Sequence, residues 1–501
     1  MNRSSAVGLA ALTWLAAAQA LAQTPPPTPA AAPDAAPPAA AAPAPAAPPS
    51  APTETVAAPE PVKAASLRAP DLFAATPGPT GLPDTLWRGA SADLARIVIP
   101  IAAQKPLTPA LAGFADRVLA TGGQAPDGAG ADVDLAASRI AAVLALGDAP
   151  GARTMLDHTP GVTASPALSQ VLAEADLVMG QADQACQAGD NLTQGKDQPY
   201  FRRLRAFCLV RAGNTDAAQL AFDLADAQAK DVIYKRLMSA AVSGTPPGAP
   251  SLRNGLDLAL SQQLKLDLTP AVDTAWTPIL VGMAATTTYP DDVRAAAVAK
   301  LKSRSFGEPP TVAAPVLIPL EAGDLKSARA ARVQIERNDS TGATVLELAL
   351  IDAVLTATEG RLEPAVMDQL VERGTAGEAS DRLRAQQAAA LYAALGAPLS
   401  SQARAEFAGF DLGRSTASQA RLLELELASN RGDAALLSLW LAADAGTAGP
   451  PALERARIVR ALRGFGFAQD ARNVALEGLI GLIAIPPEPV HAKPHPRKRE
   501  P

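Results

Sequence analysis

The sequence predicts an all-α fold, an α-solenoid of stacked helical pairs, and three observations predict it. The first is residues 200–228, YFRRLRAFCLVRAGNTDAAQLAFDLADAQ. This stretch reads as a helix, a sharp turn at Gly213-Asn214, and a second helix that Thr215 or Asp216 is placed to cap. The second is recurrence. Similar turns follow apolar helical patterns at Gly147, Gly180, Gly213, Gly323, Gly360, Gly396, Gly432 and Gly466. Their spacings are 33 and 33 residues in the first run and 37, 36, 36 and 34 in the second, and the 110-residue gap between the runs is close to three periods. The third is the missing strand signal: alternating Val/Ile/Thr runs are nearly absent, and aromatics are 4% of the chain, too few for a β-rich core.

Each turn is followed at a fixed offset by a residue suited to close helix contact. Five positions after the glycine stand Ala152, Ala185, Ala218, Ala328, Ala365, Ser401, Leu437 and Ala471, small in seven cases of eight. In the Gly213 unit, Phe222 and Ala225 continue the pattern, one bulky knob between small residues. This pattern resembles the tetratricopeptide repeat, a helix–turn–helix unit of about 34 residues. The early Trp and closing Pro of the usual unit are missing, so the resemblance is to a degenerate array. It implies a stack of helical pairs whose concave surface binds another protein.

Taken in order, the chain opens on an export signal at residues 1–22. Arg3 supplies the positive start, Ala6 begins an apolar run ending at Ala18, and Ala20-Leu21-Ala22 forms the cleavage site. The run is too short to span a bilayer. Residues 23–80 are an Ala/Pro-rich linker that is disordered by composition. The helical repeat body is expected over 81–486. Its first apolar face is Leu86, Leu94, Ile97, Val98 and Ile101. The ladder starts at Asp132 and blurs between Ala229 and Pro319, where Pro246-Pro247, Pro250, Pro270, Pro278 and Pro309-Pro310 intervene. Thr269-Pro270 and Pro290-Asp291-Asp292 remain good helix starts, and the latter leads DDVRAAAVAKL, which resembles the second helix of a HEAT repeat. Pro486-Pro487 stops the last helix, and 487–501 is a disordered basic tail.

Chemistry is scarce along this chain. There are three histidines, and only His158 lies in the helical body, at a Pro turn with no nucleophile motif nearby. No phosphate-cradling loop and no zinc-ligand spacing occur, so neither a cofactor nor a metal is expected. Paired acids such as Asp291/Asp292 and Glu424/Glu426 read as helix starts and solvated faces. The net charge of −6 disfavours nucleic acid as a partner. The tail cations Lys493, Arg497, Lys498 and Arg499 are suited at most to a weak contact with an anionic surface. The two cysteines, Cys186 and Cys208, fall on neighbouring antiparallel helices of consecutive units, and in an exported protein an even count favours a disulfide.

These readings point to a periplasmic, non-enzymatic scaffold or adaptor that binds a protein partner through its repeat surface, for example in cell-envelope assembly. The alternative is an enzyme of peptidoglycan turnover, or its activator, on a helical superstructure; carboxylates alone can serve such an enzyme, but its sugar cleft wants aromatics.

Overall fold

The computed structural model describes residues 70–303, 312–413, 420, 422–423 and 430–484, and it contains no strand among them. In chain order the helices are α1 (Ala92–Gln104), α2 (Pro109–Ala120), α3 (Val133–Leu146), α4 (Ala149–Asp157), α5 (Pro166–Val178), α6 (Ala182–Asn191) and α7 (Pro199–Arg211). Then come α8 (Thr215–Gln228), α9 (Val232–Ser243), α10 (Gly255–Gln263), α11 (Thr277–Ala285), α12 (Asp291–Ser303), α13 (Ala314–Glu321) and α14 (Leu325–Asn338). The rest are α15 (Val345–Glu359), α16 (Pro364–Thr375), α17 (Ala379–Ala394), α18 (Ser401–Ala408), α19 (Arg431–Ala445), α20 (Ala452–Gly464) and α21 (Ala468–Ile483). The export signal, residues 23–69 of the linker, Glu424, Glu426, Pro309-Pro310 and the basic tail with His491 and His495 lie outside the described residues.

The turn glycines show why helix ends are readable from sequence. Gly147, Gly180, Gly213, Gly323, Gly360, Gly396 and Gly466 all have positive φ, from 71° to 117°. At each, the glycine amide donates to the carbonyl three residues back and the next amide donates to the carbonyl five residues back, as Gly213 does to Val210 and Asn214 to Leu209. This pairing satisfies two carbonyls that the helix end would leave bare, and it needs a left-handed residue at the glycine. Five of the small residues that follow, Ala152, Ala185, Ala218, Ala328 and Ala471, are buried. Ala365 and Ser401 are exposed instead, because the connections after Gly360 and Gly396 are longer and the next helix starts later, at Pro364 and Ser401.

Gly432 corrects the ladder. It lies inside the first turn of α19, one residue after Arg431, and Asn430 caps that helix through the Asp433 amide. A Cβ at Gly432 would stand 2.7 Å from the Ala90 Cβ and 2.9 Å from the Leu86 carbonyl oxygen. The residue is small because another part of the chain presses on it, not because the chain turns there.

That contact belongs to a seam joining the two ends of the body. The Ser91 amide donates to Asp433 (2.8 Å), Lys105 pairs with Asp444 (2.8 Å), the Ala110 amide donates to Glu477 (2.7 Å) and Arg117 pairs with Asp470 (2.6 Å). An open solenoid brings together only neighbouring repeats; here α1 and α2 share one apolar core with α19, α20 and α21, more than 300 residues along the chain.

The start of the body also differs from the sequence reading, which ran the linker to residue 80. Leu72, Phe73 and Ala75 are buried. Phe73 meets Trp87 edge-on at 5.9 Å, and the Trp87 indole donates to the Thr121 carbonyl (3.0 Å). Arg139, fully buried on α3, holds this segment. Its guanidinium donates to the carbonyl oxygens of Leu119 (2.7 Å), Phe73 (3.0 Å), Ala75 (2.8 Å) and Thr121 (2.9 Å) and lies over the Phe73 ring. Burial pushes its pKa down to about 9. The contact that ends the linker early is therefore made by a residue more than sixty positions away.

Two further apolar cores complete the body. One gathers α13 to α18 with the end of α21; the other gathers α5 to α10. The second carries the features that follow.

Candidate functional site

The hairpin α7–α8 is the unit that the sequence singled out, and the structure fixes it from both ends. Cys186 on α6 and Cys208 on α7 are joined by a disulfide, with their Cα atoms 5.8 Å apart. Helix α6 runs through Gly189 to Asn191, so the two cysteines stand at one level on adjacent helices. Beside the bridge, Arg211 at the end of α7 forms a bidentate pair with Asp183 at the start of α6, at 2.7 and 3.1 Å. The guanidinium hydrogen bonds hold the Asp183 carboxyl below its usual range. Phe222 enters the core between buried Ala218 and Ala225, and its ring meets Tyr234 at 6.1 Å.

Helix α8 carries a second apolar stripe that the sequence reading missed. Ala217, Leu220, Ala221 and Leu224 follow the i, i+3, i+4, i+7 spacing of one helix face. The inward stripe of Ala218, Phe222 and Ala225 already supplies the buried face. Leu220 is 64% and Leu224 51% exposed. An amphipathic surface helix needs one such stripe; Ala221 still packs against the core, but the exposed Leu220 and Leu224 have no folding role in the described body. The signal was present in the letters but lay hidden in a chain so rich in Ala that small apolar positions occur on every face.

The outward stripe lines a groove of about 540 Å³ with Leu209 on α7, edged by Lys196, Arg202, Arg205 and Asp197. The Lys196 ammonium donates to the Asp190 carbonyl (2.6 Å). Arg202 and Arg205 have no carboxylate partner among the described residues. The groove is thus apolar at its floor and mostly basic at its edge.

The remaining sequence candidates are dispersed. His158 is exposed at the C-terminal end of α4, its Nδ1 hydrogen-bonded with the Thr154 carbonyl (2.9 Å). Asp291 and Asp292 open α12, with the Val293 amide on Asp292 and Arg294 on Asp291. The turn glycines stand apart along the chain at separate helix ends. Among the described residues no helix is long and apolar enough to cross a membrane. Comparison with family models, with curated proteins and with solved structures found no match.

Proposed function

We propose that this chain is an exported, non-enzymatic scaffold that binds another protein along a tetratricopeptide-like array of helical pairs, acting in the periplasm. The observation that carries this reading is the outward apolar stripe of α8, Leu220 and Leu224 in a groove edged by Arg202 and Arg205. Supporting it are the Ala20-Leu21-Ala22 cleavage pattern and a disulfide of the kind that persists in oxidising compartments. The partner segment that fits is an amphipathic helix, its apolar anchors on the leucines and acidic residues against the arginines.

Affinity capture from periplasmic extract tests this, with the wild type beside Leu220→Glu/Leu224→Glu. A protein retained by the wild type should be lost by the double variant, since two central apolar anchors typically supply about 2 kcal/mol or more. Retention should also weaken with salt, because Lys196 and Arg205 at the rim are exposed and Arg202 is only half-buried. Equal capture by both proteins rejects the groove, and digestion of peptidoglycan by the purified body rejects the non-enzymatic reading.

A further inference from the structure

The groove beside α8 has an apolar floor and a basic edge, and a segment that matches both is carried by this chain itself. Helix α8 turns Leu220 and Leu224 to solvent, and one flank of that stripe is acidic. Successive helix residues are rotated by about 100°, which puts Asp216 and Asp223 about 40° and 60° to one side of Leu220. Ala217 and Ala221 fall on the other side and line the groove with Leu209 of α7. The outer face of the hairpin therefore runs in one order. Arg202 and Arg205 form one edge, the groove and the two leucines lie between, and Asp216 and Asp223 form the other edge.

The acidic edge is as uncommitted as the basic one. Asp216 and Asp223 are exposed; Asp223 accepts from the Gln219 amide at 2.8 Å, and neither carboxylate pairs with a cation among the described residues. The third acid of α8, Asp226, is already held by Lys235 at 2.7 Å. A single unpaired surface charge needs no explanation. Opposite charges bracketing an exposed apolar strip make a surface that is complementary to itself.

That complementarity has a definite geometry. In a twofold contact the same patch meets itself. An axis across the helices would set the arginines of one copy against those of the other, and like charges repel. An axis along α8 exchanges the edges instead, so each acidic edge covers the basic edge opposite and the leucines meet between them. Heights along the hairpin agree. Helices α7 and α8 run antiparallel about the Gly213 turn; Arg202 and Arg205 precede that glycine by eleven and eight residues and Asp223 follows it by ten, so Asp223 stands between their levels. We propose that this face joins two copies of the chain, their α8 helices parallel, with Leu220 and Leu224 against their counterparts and Asp223 of each copy on Arg202 and Arg205 of the other. The proposal rests on the docking reading of the groove and names an occupant for it.

Size sets the strength. A helix of 14 residues is about 21 Å long, and two helices packed about 10 Å apart present a width of about 20 Å, or roughly 400 Å² per copy. Stable complexes bury about twice that per partner, so the dimer is weak and reversible, with a dissociation constant of about 10–100 μM.

Sedimentation velocity of the purified protein from about 1 to 500 μM tests this, at low salt and in about 0.5 M salt. The wild type should pass from monomer to dimer across that range and shift toward monomer in the higher salt, which screens the edge charges. R202E/R205E makes both edges acidic and D216K/D223K makes both basic, so each variant alone should dimerise at least about tenfold more weakly. Mixed in equal amounts they should form a heterodimer about as tight as the wild-type dimer, because every edge again meets its opposite. The proposal is overturned if the wild type stays monomeric throughout, if either variant dimerises like the wild type, or if the mixture remains monomeric. If a charge variant fails to fold, the wild type and L220E/L224E decide, and the dimer must be present in the first and absent in the second. Capture of a different protein by a wild type that stays monomeric overturns the dimer and leaves the docking reading intact. A dimer with no other protein captured supports self-association and removes the reading of a separate partner.

Discussion

Replacing Gly432 by alanine tests the closure of the body, and the sign of the effect distinguishes the alternatives. In an open helix, Gly→Ala is stabilising by about 0.5–1 kcal/mol, because glycine loses the most backbone entropy. At Gly432 the added methyl would sit 2.7 Å from the Ala90 Cβ and 2.9 Å from the Leu86 carbonyl oxygen, neither of which is the tip of a flexible side chain. Relieving that overlap requires the start of α19 to move off residues 86–90, an overpacking cost of about 1–3 kcal/mol. The movement would also stretch the neighbouring bonds from the Ser91 amide to Asp433 and from Asn430 to the Arg88 carbonyl. Gly113, inside α2, is the control: a Cβ there meets nothing within 4 Å. Gly113→Ala should therefore be stabilising and Gly432→Ala destabilising, a gap of roughly 2–4 kcal/mol between two identical substitutions. Urea unfolding followed by circular dichroism measures the gap, and hydrogen exchange at the Ser91 amide reports whether the loss is at the seam. If Gly432→Ala is as stable as Gly113→Ala and the Ser91 amide exchanges as in the wild type, the ends of the body do not pack as described.

Two other outcomes are expected. Removing the bridge by Cys186→Ser/Cys208→Ser should cost about 3 kcal/mol, since it frees a loop with a sequence separation of 22, and mass spectrometry of a non-reduced digest should recover the two cysteines linked in the wild type. Stability should also fall as pH rises from about 4 to 7, because burial, with a smaller contribution from Asp148, pushes the Asp116 pKa from 3.8 up to about 7. The folded state keeps that proton through a window in which the unfolded chain has released it, so the stabilisation is full below pH 3.8 and lost toward 7, by up to about 4 kcal/mol. Asp116→Asn should reduce this slope in urea unfolding at several pH values without abolishing it, because burial also pushes Glu174 up to about 7 and Asp176 up to about 6; an unchanged slope would place the titration on those groups alone.

What the sequence determined by itself is what neighbours along the chain decide. A helix end needs its bare carbonyls satisfied within five residues, so the glycines at 147, 180, 213, 323, 360, 396 and 466 announced their turns without any knowledge of the fold. The pairing of Cys186 with Cys208 was legible for a related reason, since both lie on consecutive antiparallel helices. Helical content was legible from periodicity, and the inward face of α8 from Ala218, Phe222 and Ala225. Tertiary structure alone decided the rest. Gly432 looks in sequence like the other turn glycines, and only the approach of Leu86 and Ala90 shows that it is small for packing. Phe73 looks like the end of a linker until Arg139, distant in sequence, binds its carbonyl. Arg202 and Arg205 on α7 stand beside Leu220 and Leu224 of α8 only once the two helices pack, and no single periodicity links them. Long-range contacts leave no local pattern because the side chains that meet are selected by shape and charge in space, while hydrogen-bond geometry within a turn is imposed on consecutive residues.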